Sequence, residues 1–106
     1  MIFYNITFLV DKELGTEGAD YLRNNFIPEA ICSGLLSNPC MKKVLYTPND
    51  DSESYAVQFH AGSIELLNAW NDDHGRRLQH RLRERFGERI LCFATILEEI
   101  SLHDDR

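Results

Sequence analysis

Hydrophobic and polar residues alternate along the first ten positions of the chain. The stretch IFYNITFLV has an apolar residue at every second position from Ile2 to Val10. A period of two is typical of a β-strand with one fully buried face. The intervening positions are also largely apolar but include Asn5 and Thr7. This pattern predicts a strand in the middle of a sheet, with both faces largely covered.

A first helix is predicted between Thr16 and Gly34. Thr16 is placed to cap its start, and apolar residues recur at three- and four-residue steps up to Ala30. Pro28 falls inside this pattern, where it removes a backbone donor and clashes with the preceding turn. We therefore expect a kink, or two abutting helical pieces, near Asn25.

A second helix is predicted from Ser63, its N-cap, to Gly87. Residues 71–75, with the sequence NDDHG, predict a break within it. One buried stripe at helical spacing is expected to contain Leu67, Trp70, His74, Leu78 and Leu82.

Three further strands are predicted at residues 40–47, 54–61 and 89–97, the first two joined by a turn at 48–52. The resulting order β-α-β-β-α-β indicates an α+β protein of the ferredoxin-like type, in one domain spanning residues 1–106. The sheet would be antiparallel with spatial order 4-1-3-2, and both helices would lie on one face.

The face of the sheet opposite the helices is predicted to be too apolar for a monomer. Its expected apolar members are Phe3, Leu9, Ala56, Leu91, Phe93 and Leu97. Two such faces packed against each other in a two-fold homodimer would remove this surface from water. We therefore predict a homodimer of the α/β-barrel type.

Polar side chains on the same predicted face are the first candidates for a site. They are Asn5, Thr7, Gln58, His60 and Thr95. These groups either satisfy one another inside the interface or line a pocket for a small organic ligand. In a pocket, His60 would be the candidate catalytic base, because its side chain titrates near neutrality. On the second helix, Trp70 and His74 are further candidate ligand-binding residues, with a hydrogen-bonded core position as the alternative for His74.

Composition narrows the range of partners. The chain has a net charge of -6 and three cysteines without a Cys-x-x-Cys pair, so neither nucleic acid nor structural zinc is expected. Arginines recur between Arg76 and Arg89, but acidic residues interleave with them, which is typical of a solvated helix face. No apolar run is long enough for a membrane helix, and the start MIFYNIT lacks the basic segment of a signal peptide. We therefore expect a cytoplasmic protein without a metal or cofactor.

Several segments resemble a known family. They are the opening MIFYNIT, FIPE followed by SGL, YAVQF, and the ending RERFGERILCFATILEE. The chain resembles a family of short, mostly bacterial proteins described only as a domain of unknown function. Its topology also resembles the dimeric α/β-barrel superfamily, which includes cofactor-independent monooxygenases, isomerases and haem-degrading monooxygenases. Resemblance to the haem-degrading members implies a set made of Asn5 on the first strand with Trp70 and His80 on the second helix.

Three functional hypotheses follow. The first is a homodimeric protein that binds a small molecule, or an enzyme-like protein that works without a cofactor. The second is a non-catalytic dimeric module for regulation or protein association. The third is a haem-binding or haem-degrading monooxygenase. The first hypothesis requires that the polar residues of the sheet line an open cavity. The second requires that they form a closed hydrogen-bond network.

Overall fold

A four-stranded antiparallel sheet forms the centre of the protein. The structure, a computed structural model, describes residues 1–45 and 51–103. The strands are β1 (Ile2–Asp11), β2 (Leu36–Val44), β3 (Ser52–Ala61) and β4 (Ile90–Glu98). Their spatial order is β2-β3-β1-β4, which confirms the predicted ferredoxin-like arrangement.

Two helical segments connect the strands, and each contains a π-helical turn. The first, residues 17–31, consists of α1 (Glu17–Tyr21), a π turn (Leu22–Phe26) and α2 (Ile27–Ile31). The second, residues 64–86, consists of α3 (Ile64–Trp70), a π turn (Asn71–Gly75) and α4 (Arg76–Phe86). Short 3-10 turns at Lys12–Leu14 and Gly87–Arg89 complete the described structure.

The first strand pairs along nearly its whole length with both neighbours. Ile2 to Asp11 lie opposite Ala61 to Ser52 of β3, and Ile2 to Val10 lie opposite Glu98 to Ile90 of β4. Its alternate residues from Tyr4 to Val10 are buried against the helices. The smallest extent of the molecule is only 18 Å, which corresponds to one helix layer on one sheet. Within residues 1–45 and 51–103, no second layer covers the other face of the sheet.

The first π turn has a clear cause in the sequence. Pro28 cannot donate a hydrogen bond to the carbonyl of Asn24, four residues earlier. The helix widens just before it, and the Ile27 N–H bonds to the Leu22 carbonyl five residues back. This confirms the predicted irregularity near Asn25. The predicted cap residue Thr16 stands at the N-cap position, but its side chain accepts no hydrogen bond there.

The second helical segment is continuous, so the predicted break at residues 71–75 is wrong. The Arg76 N–H bonds to the Asn71 carbonyl, which makes a π turn rather than an interruption. Ser63 caps the start as predicted, its hydroxyl accepting from the Leu66 N–H at 3.1 Å. The extra residue in the turn changes which side chains face the sheet. His74, expected in the buried stripe, is instead half-buried, with its side chain 22% exposed.

The second strand begins four residues earlier than residue 40, its predicted start. β2 runs from Leu36, and a β-bulge between Ser37 and Cys40 accommodates Pro39. Asn38 adopts φ 51° within this bulge, a conformation that Asn tolerates better than most residues. The Asn-Pro pair is typical of a loop, which is why the early part of the strand was not predicted. The predicted turn at residues 48–52 lies largely outside the described residues.

Trp70 contacts both the other helical segment and the sheet. Its side chain is 1% exposed, and its indole N–H donates to the Ala30 carbonyl at 2.8 Å. The ring also meets the Tyr4 ring edge-on, with 5.7 Å between centroids. Gly75 lies against the same indole, where an added Cβ would be 2.8 Å from Trp70 Cζ3 and 2.5 Å from Asn71 Oδ1. The π turn therefore requires a residue without a side chain at this point.

Substituting Gly75 by alanine tests this close packing. Helix propensity alone favours Gly75→Ala by about 1 kcal/mol. Overlap with Trp70 opposes it by about 1–3 kcal/mol, so we expect net destabilisation of about 1 kcal/mol in urea denaturation. Asn68→Ala, at an exposed position of α3, is the matched control and should be neutral or slightly stabilising. A Gly75→Ala protein at least as stable as the Asn68→Ala protein would contradict the steric argument.

Candidate functional site

The polar residues predicted on the open face of the sheet lie there together. Asn5 is directly opposite Gln58 on β3 and Thr95 on β4, so these three form one row across adjacent strands. Phe3 and His60 occupy the neighbouring row, and their rings meet edge-on with centroids 4.7 Å apart. The register thus brings the predicted candidates within one patch.

Part of this patch is already hydrogen-bonded within the chain. The Asn5 side-chain amide donates to the Thr7 hydroxyl at 3.2 Å. Apolar side chains on β4 surround the polar row and are widely open to solvent. Their exposed fractions are 49% for Leu91, 56% for Phe93 and 42% for Leu97. In a single chain, the patch is a flat surface rather than an enclosed pocket.

A concave site lies on the other side of the sheet, between the second π turn and the edge strand β4. This helix-side cavity has a volume of about 460 Å³. Its lining residues are Tyr4, Ile6, Phe26, Trp70, Asn71, Asp72, Gly75, Arg76, Gln79, Cys92, Phe93 and Ala94. Both helical segments and two strands contribute, so the cavity depends on the whole tertiary fold.

Tyr4 supplies a buried polar group to the helix-side cavity. Its side chain is 6% exposed, and burial raises the pKa of its hydroxyl above the ordinary value. The nearby Cys92 thiol contributes in the same direction, while the Asn71 side chain, through a hydrogen bond, lowers the pKa in part. At neutral pH the hydroxyl is therefore protonated and able both to donate and to accept a hydrogen bond.

Three further polar side chains complete the rim of the cavity. The Gln79 amide donates to the Cys92 sulfur at 3.2 Å, and the Cys92 thiol is 3.5 Å from Gln79 Oε1. Arg76 and Asp72 bring opposite charges to the same rim. No ion pair joins them, or joins either to another group, among residues 1–45 and 51–103.

The remaining arginines of the second helical segment are mostly engaged in surface ion pairs. Arg77 pairs with Asp73 at 3.2 Å, and Arg81 pairs with Glu29 at 3.1 Å. Arg85 contacts Glu17 at 3.6 Å and also stacks over the rings of two aromatic residues. The arginine-rich run is thus a solvated helix face that also ties the two helical segments together.

The set implied by the resemblance to haem-degrading enzymes is not assembled. Asn5 is on the open face of the sheet, whereas Trp70 is buried on the helix side. His80 points to solvent, with its side chain 74% exposed and 3.4 Å from Glu84. The three residues cannot contact one ligand, because the sheet separates the first from the second. This part of the haem hypothesis is therefore wrong.

The other two candidates on the second helix have different surroundings. Trp70 lines the helix-side cavity through its ring. His74 lies outside that lining, with Nδ1 3.1 Å from Arg77 and Nε2 3.8 Å from Asp73. In the part of the chain that the structure describes, no cluster of three or more His, Cys, Asp or Glu could hold a metal. No helix there is long and apolar enough to cross a membrane.

A second, more open groove lies between the first helical segment and the β2–β3 edge, with a volume of about 730 Å³. Much of its charge is internally paired. Glu53 accepts from Lys43 at 3.2 Å and from the Tyr55 hydroxyl at 3.0 Å, and these two bonds lower the pKa of Glu53. Burial, followed by the contact with Glu53, raises the pKa of Tyr55. In the helix-side cavity both charged groups, Arg76 and Asp72, are unpaired among the described residues, whereas in the groove only Lys12 and Lys42 are, so we take the helix-side cavity as the better candidate.

Comparison with known families identifies the chain. The family model for DUF4286, a domain of unknown function, matches residues 1–100 of the chain. The chain belongs to the DUF4286 family. This confirms the resemblance inferred from the sequence segments. No curated protein matches the chain.

Several solved structures share this fold at low sequence identity. An ethyl tert-butyl ether D (EthD) family protein from Bacillus halodurans has a TM-score of 0.70 at 16% identity, covering 94% of this chain and 100% of that chain. HapK from Hahella chejuensis has a TM-score of 0.67 at 11% identity, covering 100% of this chain and 99% of that chain. A dimeric ferredoxin-like protein from an uncultured marine organism has a TM-score of 0.57 at 14% identity, covering 97% of this chain and 100% of that chain. At such low identity, these likenesses establish the fold of this family member.

Most of the helix-side cavity was not predictable from the sequence. Alternation along the first strand predicts a buried position for Tyr4, Arg76 belongs to the run predicted as a solvated helix face, and no pattern singles out Gln79. A regular helix was assumed on either side of residues 71–75, whereas the π turn rotates the later residues relative to the earlier ones. A glycine in the interior of a long amphipathic helix was the available signal, because it marks a close approach to another group.

The pH dependence of stability tests the burial of Tyr4. Because its pKa is raised above the ordinary tyrosine value of 10.0, ionisation of the buried hydroxyl disfavours the folded state. The contribution of the neutral form is fully present below the unfolded-state pKa and is lost as pH rises through the folded-state pKa. Between about pH 8 and pH 10.5, urea denaturation should therefore show a larger loss of stability for the unmodified protein than for Tyr4→Phe. Equal losses in the two proteins would count against a buried, neutral Tyr4.

Proposed function

We propose that this DUF4286 protein is a homodimer that binds a small organic molecule in the helix-side cavity of each subunit. One observation carries the binding proposal. A cavity of about 460 Å³ combines an apolar floor with a buried hydroxyl, two amides and two unpaired charges. Ligand sites of proteins commonly have volumes of about 300–1,000 Å³, with mostly apolar walls and a few polar groups that fix orientation.

The arrangement of the floor and rim supports a specific pose. Trp70 and Phe26 are almost fully buried, so their rings are held in place directly behind the apolar side of the cavity. Tyr4 is the polar group closest to the core, while Arg76 and Gln79 are on the exposed surface of α4. A ligand would bury an apolar body against the wall and direct polar atoms toward the helix.

The homodimer proposal rests on the open face of the sheet. Large apolar side chains on β4 stay about half exposed there, including Phe93 and Leu97. Monomeric soluble proteins rarely leave a large contiguous patch of this kind exposed. Packing two sheets face to face would bury it, and a protein of the same fold is itself described as dimeric. The row of Gln58, Asn5 and Thr95 would then fix the register of the two subunits through hydrogen bonds across the interface.

The open face also supports a second candidate site. Gln58, Asn5 and Thr95 form one row, and His60 lies in the next row. Dimerisation would enclose these groups between two sheets, where His60 would be the general base for a small organic ligand. If the polar groups of this row all form hydrogen bonds between the two subunits, none is left for a ligand, and the protein is instead a non-catalytic dimeric module. We place this site second because the patch is flat in a single chain.

A cavity-filling variant tests ligand binding in the helix-side cavity. We expect a library of one- and two-ring fragments to include molecules that raise the melting temperature of the full chain by about 4 °C or more near saturation. These shifts should disappear in Gln79→Trp, whose indole would occupy the cavity. They should persist in Arg83→Trp, a matched change on the exposed surface of the same helix, and in His60→Ala. Shifts that persist in Gln79→Trp but vanish in His60→Ala would overturn the proposal in favour of the sheet-face site.

A charge on the open face tests the homodimer. Leu97→Glu would bury two carboxylates at the proposed interface, and we expect it to convert a dimer into a folded monomer in sizing with light scattering at about 10 µM. Leu66 has a similar exposed fraction, 43% against 42% for Leu97, but lies on α3 in the helix layer. Leu66→Glu should therefore leave the dimer intact. An unmodified protein that elutes as a folded monomer would contradict this proposal.

A further inference from the structure

The charge pattern around the helix-side cavity restricts the chemistry of its ligand. Resting on the proposed function of that cavity, we infer that the ligand is a flat apolar molecule bearing a carboxylate, and that Arg76 binds this carboxylate. The inference depends on three features of the site. They are the unpaired guanidinium, the excess of hydrogen-bond donors near it, and the aromatic wall beneath it.

Arg76 differs from its neighbours in having no carboxylate partner. Four arginines of the run between Arg76 and Arg89 form ion pairs, namely Arg77, Arg81, Arg85 and Arg89. Within residues 1–45 and 51–103, Arg76 and Arg83 have no such partner. Arg83 is not among the residues that line the cavity, whereas Arg76 is. The cavity therefore presents a guanidinium whose five donors are free to bind an acceptor.

The other polar groups of the rim favour an anion next to Arg76. Tyr4, with its raised pKa, keeps a proton to donate, and the amides of Asn71 and Gln79 carry further N–H groups. Asp72 is the single carboxylate among the lining residues. Donors thus outnumber anionic acceptors, and a planar carboxylate matches the fork of the guanidinium in two parallel hydrogen bonds. The negative charge of Asp72 opposes the binding of an anion. Removing that charge should therefore strengthen binding, whereas removing the charge of Arg76 should weaken it.

The wall of the cavity sets the shape of the rest of the ligand. Trp70 and Phe26, each at most 2% exposed, lie directly behind the lining, and Ile6 of β1 adds an aliphatic group beside them. Aromatic rings pack well against such walls in stacked or edge-on arrangements. A volume of about 460 Å³ accommodates a molecule of two fused rings with one substituent. A fused aromatic carboxylate is the simplest probe with these properties.

Two probes of similar shape, one anionic and one neutral, test the inference. Dissociation constants of 1-naphthoate and the neutral 1-naphthamide would be measured with the full chain by calorimetry and by the NMR signal of the Trp70 indole N–H. We expect 1-naphthoate to bind about tenfold more tightly, because a charge-assisted bidentate contact is stronger than a neutral one. Arg76→Gln should remove this preference and leave 1-naphthamide binding nearly unchanged. Asp72→Asn should strengthen 1-naphthoate binding, since it removes the opposing charge.

Arg83→Gln is the matched control, because it deletes the other unpaired arginine of the same helix. It should leave the preference for 1-naphthoate intact. If Arg83→Gln and Arg76→Gln lowered the preference for 1-naphthoate equally, the preference would come from general charge attraction. That result would overturn the inference. Equal binding of both probes, unaffected by Arg76→Gln, would overturn it while leaving the cavity as a binding site. Failure of both probes to move the Trp70 signal would contradict the proposed function of the cavity itself.

Discussion

The position of the Trp70 indole is the constraint on which the rest of the structure depends. Its N–H group satisfies the Ala30 carbonyl of the other helical segment, and its ring lies against Tyr4 of the central strand. Three elements that are distant in sequence are thereby held at one point. The π turn at Asn71–Gly75 follows directly, since the ring needs the space that Gly75 leaves. The helix-side cavity opens beside this turn, so packing and the candidate site share one cause.

The fold was largely predictable from the sequence because it follows from hydrophobic periodicity. The alternation from Ile2 to Val10 fixed the central strand, and the two amphipathic segments fixed the helices on one side. Because Pro28 lacks a backbone N–H donor, its position in the sequence predicted the first irregular turn. The start of β2 was missed because Asn38 and Pro39 are typical of loops, while the bulge that accommodates them depends on pairing with β3. Local sequence carries no direct information on such a pairing.

The candidate site was only half predictable, for a related reason. Alternation along strands places Asn5, Gln58 and Thr95 on one face, and antiparallel register then aligns them. The helix-side cavity instead depends on a rotation of α4 relative to α3, which a period of 3.6 residues does not anticipate. Residues such as Arg76 and Gln79 therefore looked like ordinary surface positions. Only the tertiary structure, which brings the π turn, the edge strand β4 and the buried Tyr4 together, places Arg76 and Gln79 in the lining of the cavity.

The two edges of the sheet differ in a way that bears on assembly. The β2 edge has a bulge, Pro39 and two lysines, all features that discourage strand addition. β4, with the sequence ILCFATILE, has neither lysine nor proline. Growth of a filament by edge-to-edge pairing needs an adhesive edge at both ends of each subunit. A chain with one guarded edge therefore resists the repeated edge-to-edge addition that a fibre needs.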